Sequence, residues 1–220
     1  MAQASPTTPS WRAFERLMAR RITARSGVRF ASFASALVTG ITLSLMLAVR
    51  AGPRGDLDGI AVRGLGWASW LVVLPATLGA IGALAELRQQ DSLTTFRGLG
   101  LIPARSELAL LSASCRVVAA RLGLAGGSAL FLALALSRST GELPRRALQL
   151  LAGSGYILGL SLTAGLVALG TSSLGARRGR WLLLLLLLVP MIASERWLDV
   201  VDLEQVLDRL LDRIFQLGGR

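Results

Sequence analysis

The sequence predicts an all-α polytopic membrane protein: an N-terminal interfacial helix, about five transmembrane helices and a C-terminal amphipathic helix. Three observations lead there. Only 17% of the residues are charged while 53% are hydrophobic, against about 25% charged in soluble domains. The mean hydropathy is +0.58. The charge deficit is also concentrated, because Phe30–Val49, Gly64–Ala85, Leu122–Ser137, Ala147–Ala176 and Trp181–Ser194 carry no charged residue.

Taken in order, residues 1–8 are polar and Pro-containing, which predicts disorder. Residues 9–29 predict an interfacial helix. Trp11, Phe14, Leu17, Met18 and Ile22 recur at helical spacing, and Arg12, Arg16, Arg20 and Arg21 fill much of the remainder. An apolar stripe beside a basic face suits an anionic membrane surface. Trp11, Phe14, Arg16, Arg20 and Arg21 are the expected membrane-interface residues.

A membrane domain is expected over 30–195. A spanning helix needs about 20 mostly apolar residues. The first, second and fourth charge-free runs meet that alone, and predict helices at Phe30–Val49, about Gly64–Leu87 and within Ala147–Ala176. The third reaches it by extending back past Arg121 and Arg116, whose side chains can snorkel. Its helix is expected from Ser106, as a cap, to about Ser137. The fifth run would cover roughly 21 Å of a ~30 Å hydrocarbon core and contains Pro190, so it reads as a short span in preference to a re-entrant segment. Gly155 and Gly159 have GxxxG spacing, which predicts close helix packing. Residues 196–220 predict an amphipathic helix with an acidic balance, suited to protein contact.

Charge also predicts topology. All 24 basic residues are Arg and the net charge is +11. The N-terminal segment and the connections after the second and fourth spans hold fourteen arginines, against six in the other connections. By the positive-inside tendency the N-terminus lies in the cytoplasm. The basic balance therefore reads as membrane topology, and no nucleic-acid partner is expected. The chain has no histidine, which excludes His-ligated metal sites and Ser–His or Cys–His catalysis within it. It has no lysine either, hence no phosphate-binding GxxxxGK[ST] loop. No carboxylate sits inside a charge-free run, which argues against proton- or sodium-coupled transport. The chain itself is not expected to be an enzyme.

The stretch 86–107, within AELRQQDSLTTFRGLGLIPARSEL, is an unusual concentration of charge between two apolar runs. It resembles the cytoplasmic segment of type-2 ABC exporter permeases, which has the form E-R-E-x-G-[ST]-L-E-x-L followed by apolar residues, Pro and a basic residue. Glu86, Arg88, Ser92 and Leu93 fall near the matching places, followed by Pro103 and Arg105. Asp91 stands where the family has Gly, and the stretch from Leu93 to Pro103 is two or three residues longer than usual. The Asp91-Ser92-Leu93 stretch also resembles the D-G-S-L of the haem-exporter permeases of cytochrome c maturation. The motif covers only about twenty residues.

The resemblance implies a permease subunit in a bacterial inner membrane, working as a homodimer or with a related permease. Its ATP and Mg would be bound by a cytoplasmic ABC ATPase partner. Segment 86–107 would then be a coupling surface, with Leu93 or Phe96 as an apolar anchor and Arg88, Asp91 and Arg97 fixing its register. The second and fourth spans, with their Ser, Thr and small residues, would border the route. The alternative expectation is a non-transporting anchor or assembly subunit that docks a soluble complex through the same segment.

Overall fold

The computed structural model describes residues 11–50, 57–89, 103–136 and 143–192, together with Arg209 and Arg213. The expectations for 1–8, for the centre of segment 86–107 and for the acidic tail lie outside these residues, apart from Arg209 and Arg213, which are helical.

Six helices follow one another. They are α1 (Trp11–Thr23), α2 (Ser26–Arg50), α3 (Leu57–Gln89), α4, α5 (Leu143–Ser172) and α6 (Ala176–Ile192). Helix α4 is composite. It runs as Pro103–Leu122, widens into a π turn at Gly123–Gly127 and continues as Ser128–Ala135. Four helices, α2 to α5, are long and apolar enough to cross a membrane, and the protein is a multi-pass membrane protein. The fifth expected span, α6, is a 17-residue helix. It is shorter than the other four and continues through Pro190 to Ile192.

Helix α3 is the axis of the bundle and the most buried of the four long helices. Helices α2, α4, α5 and α6 all pack on it. Its inward positions are small, as at Ala61, Ala68, Ala76, Ala80 and Ala83. Small residues let helices in lipid approach closely, where burial of large side chains brings little gain over lipid contact. The large apolar side chains point outward instead. Phe30, Phe33 and Leu37 on α2 and Leu151, Leu158 and Leu162 on α5 are all exposed.

The tightest crossing joins the start of α2 to the middle of α3. A Cβ at Gly27 would lie 2.5 Å from the Pro75 carbonyl oxygen, and one at Gly79 would lie 2.7 Å from Val28 Cγ2. Glycine is required at both positions by this approach.

Helix α3 has 33 residues, about 50 Å at 1.5 Å per residue, well beyond a ~30 Å hydrocarbon core. Its C-terminal end is wrapped by α1 and by the first turns of α4. Phe14, Met18 and Ile22 of α1 form one buried cluster with Ala80, Leu84 and Leu87 of α3 and with Ala109, Leu110 and Ala113 of α4. This corrects the expected membrane-interface set. Phe14 is 3% exposed and faces protein. Trp11, Leu17, Arg16, Arg20 and Arg21 remain exposed.

Helix boundaries differ from expectation for a common reason. Helix α3 begins at Leu57, ahead of the charge-free run, because Asp58 in its first turn is neutralised by Arg145 (3.4 Å) and Arg146 of α5. Helix α5 likewise begins before those arginines. Helix α4 begins at Pro103, where a missing N–H costs nothing, so Ser106 lies inside the first turns and does not cap it.

The expected packing pair is also corrected. Gly155 and Gly159 are exposed, with nothing within 4 Å of an added Cβ. The close contacts of α5 fall at Gly153, against Leu130, and at Gly165, where a Cβ would lie 2.5 Å from Cys115 Sγ.

Candidate functional site

The two ends of segment 90–102 are fixed to each other. Arg88, in the last turn of α3, donates to Glu107, in the first turns of α4, at 3.0 Å. Helix α1 is tied to the same place. Arg25, in the turn before α2, makes a two-point ion pair with Glu86, and its Nη1 lies 2.8 Å from Glu86 Oε1. Ser112 of α4 donates to Glu15 of α1 at 2.9 Å. These polar ties surround the buried cluster of α1, α3 and α4. The pair of helices leading into and out of 90–102 is therefore braced on one side by a third helix.

This places the expected coupling residues in two groups. Glu86 and Arg88 are helical and engaged in ion pairs within the chain. Pro103 opens α4, and Arg105 is exposed two residues later. Asp91, Ser92, Leu93, Phe96 and Arg97 lie outside the described residues. Sequence reasoning took Glu86 and Arg88 as part of a coupling surface for a partner. Their partners Arg25 and Glu107 were not singled out, because nothing local marks a pairing across 61 or 19 positions.

A second polar feature lies further along α4, inside the span. Ser35 donates to the Arg121 carbonyl at 2.7 Å and Thr39 to the Leu124 carbonyl at 3.2 Å. Arg121 Nε donates to Ser32 Oγ at 3.2 Å, and its Nη1 donates to the Val117 carbonyl at 3.1 Å. Ser128 donates to the Ala125 carbonyl at 3.3 Å and also to that of Leu124. These bonds bracket the π turn. A switch from i→i+4 to i→i+5 bonding leaves carbonyls without their usual partner, and hydroxyls from the same and a neighbouring helix take over. Arg121 bends toward the N-terminal end of α4, as its bond to Val117 shows. Among the described residues no carboxylate pairs with it. The signal for this seam was in the sequence: Ser32, Ser35, Thr39 and Thr42 recur along one helical face.

Besides the Asp58 ion pairs, the second and fourth spans meet at Ser69 and Tyr156, whose hydroxyls are 3.0 Å apart. Thr42 Oγ1 and Gln149 Nε2 are buried without a hydrogen-bond partner among the described residues. Cys115 is a free thiol packed toward Gly165.

The chain thus offers a braced connection at one end of the bundle, joined through a single helix to a locally widened turn in the membrane layer. No family model matches the sequence, and no curated protein and no solved structure is similar to it.

Proposed function

We propose that this protein is the membrane permease subunit of an ABC-type exporter, driven by a separate cytoplasmic ATPase that engages segment 86–107. The observation that carries the reading is the brace at the ends of 90–102. A segment that transmits force needs a stiff base, and the Arg88–Glu107 and Arg25–Glu86 pairs, with the buried cluster behind them, supply one. The π turn supports the same reading, since such turns concentrate at functional sites and hinges. Displacement of the α3 and α4 ends would be passed along α4 to a turn already held by side-chain bonds. In this reading α1 and the brace face the cytoplasm, in line with the arginine distribution, and the bilayer is a bacterial inner membrane. Helix α3 is closely packed at the centre of the bundle, and in this reading a route forms with a second copy or a related permease.

The second reading, an anchoring subunit without transport, draws on the engagement of Glu86 and Arg88 within the chain, which leaves fewer polar groups for a moving partner. One experiment separates the two. The tagged protein is purified from its native membrane in mild detergent, and ATPase activity of the eluate is compared between wild type and Leu93→Asp/Phe96→Asp. The expected result is a co-purifying ATPase that the double variant loses at least tenfold, as for loss of an interface anchor. An eluate with no ATPase, or one indifferent to the substitutions, favours the anchoring subunit.

A further inference from the structure

The turn between α5 and α6 returns the chain beside the C-terminal end of α3. Gly175 has φ +88°, a left-handed conformation that suits glycine. A Cβ at Gly179 would lie 3.1 Å from Ile81 Cγ2, and the Arg180 guanidinium rests on Gly82. The first turn of α6 therefore lies at the same end of the bundle as α1 and the brace. On its outer side is a cleft of about 540 Å³ lined by Leu174, Arg177, Arg178, Trp181, Leu182 and Leu185.

The lining follows the course of α6. Arg177 and Arg178 stand in its first turn, both exposed. Trp181 is one turn further along, 59% exposed, in the amphipathic position that tryptophans take at the membrane–water boundary. Leu182 and Leu185 follow, roughly 6–12 Å beyond the arginines at 1.5 Å per residue, and they too are exposed. The two guanidinium groups stand beside the positive end of a helix, and among the described residues no carboxylate pairs with either. Arg180, by contrast, is exposed but lays its guanidinium over Gly82 of α3.

We propose that this cleft binds an anionic glycerophospholipid, with its phosphate on Arg177 and Arg178 and an acyl chain along Leu182 and Leu185. Guanidinium groups bind phosphate oxygens through paired N–H donors, and basic clefts beside membrane helices suit such headgroups. A free phosphate would use the two arginines and leave the leucines idle.

The test is native mass spectrometry of the protein released from nanodiscs of equal phosphatidylglycerol and phosphatidylcholine. Wild type is expected to retain phosphatidylglycerol in preference to phosphatidylcholine, with inorganic phosphate failing to displace it. Arg177→Gln/Arg178→Gln is expected to lower that retention roughly tenfold or more, while Arg177→Lys/Arg178→Lys and the charge-matched control Arg63→Gln/Arg116→Gln, at two exposed arginines elsewhere in the bundle, keep most of it. Equal retention of both lipids by wild type would overturn the proposal, and so would displacement by inorganic phosphate, an equal loss in the control, or unchanged retention in the glutamine variant. Retention that appears only after removal of 196–220 would assign the cleft to the tail instead. If the glutamine variant does not fold, the wild-type preference and the phosphate competition still decide.

Discussion

Ser35 is fully buried and its hydroxyl reaches a backbone carbonyl on another helix, 86 positions away. Interhelical bonds of this kind in membranes contribute about 0.6 kcal/mol on average and up to about 1.7. Ser35→Ala is expected to cost within that range and to loosen the π turn, whereas Ser44→Ala, at an exposed position of the same helix, is expected to be neutral. Reversible unfolding in mixed micelles measures both, and equal effects would refute the role given to Ser35. The ion pairs of the brace are a different matter. Arg25 and Glu86 are 34% and 44% exposed, so solvent screens them and each contributes less than about 1 kcal/mol. Their importance is geometric: they fix where the ends of α3 and α4 lie.

Helix faces decide the next scale. Gly153 and Gly155 are two positions apart on α5, yet one meets Leu130 and the other meets nothing. Their sequence surroundings are alike, because both faces of a membrane helix are apolar and hydropathy does not mark the inner one. The GxxxG spacing at Gly155 and Gly159 was legible; its outward direction was not. The positions differ in consequence. Gly165→Leu is expected to destabilise the bundle by about 1–3 kcal/mol through overpacking against Cys115, and Gly159→Leu to leave the folded single copy unchanged. Thermal unfolding in detergent distinguishes them, and a large loss from Gly159→Leu would contradict the packing. The stripe of α1 taught the same lesson in reverse. Phe14, Met18 and Ile22 were legible as one face, but what covers that face is a tertiary fact, and here it is α3 and α4. The π turn had no signal in apolar periodicity, although the hydroxyls that serve it recur along α2.

For the molecule as a whole, the charge-free runs placed four long helices correctly. They placed the ends less well, because Asp58, Arg145 and Arg146 neutralise one another and let α3 and α5 start earlier. Four crossings fix which connections share a side. In a Cys115→Ser background, single cysteines at Ala13 and Ser173 are expected to react with an impermeant reagent from one face of the membrane, and those at Asp56 and Ser139 from the other. Labelling of Ser173→Cys together with Asp56→Cys would break the four-span arrangement. Much of the candidate site fell outside what composition could reveal. Segment 86–107 was conspicuous for its charges, but three of them, Glu86, Arg88 and Glu107, hold the protein together at the base of the segment.

Arg121 carries a last consequence, and it concerns leakage. Its guanidinium is a fixed positive charge inside a candidate span, with hydroxyl and carbonyl partners but no counter-charge among the described residues. A proton or sodium ion passing within 4 Å of it would meet a repulsion of about 4 kcal/mol at an effective dielectric constant near 20, enough to slow passage about a thousandfold.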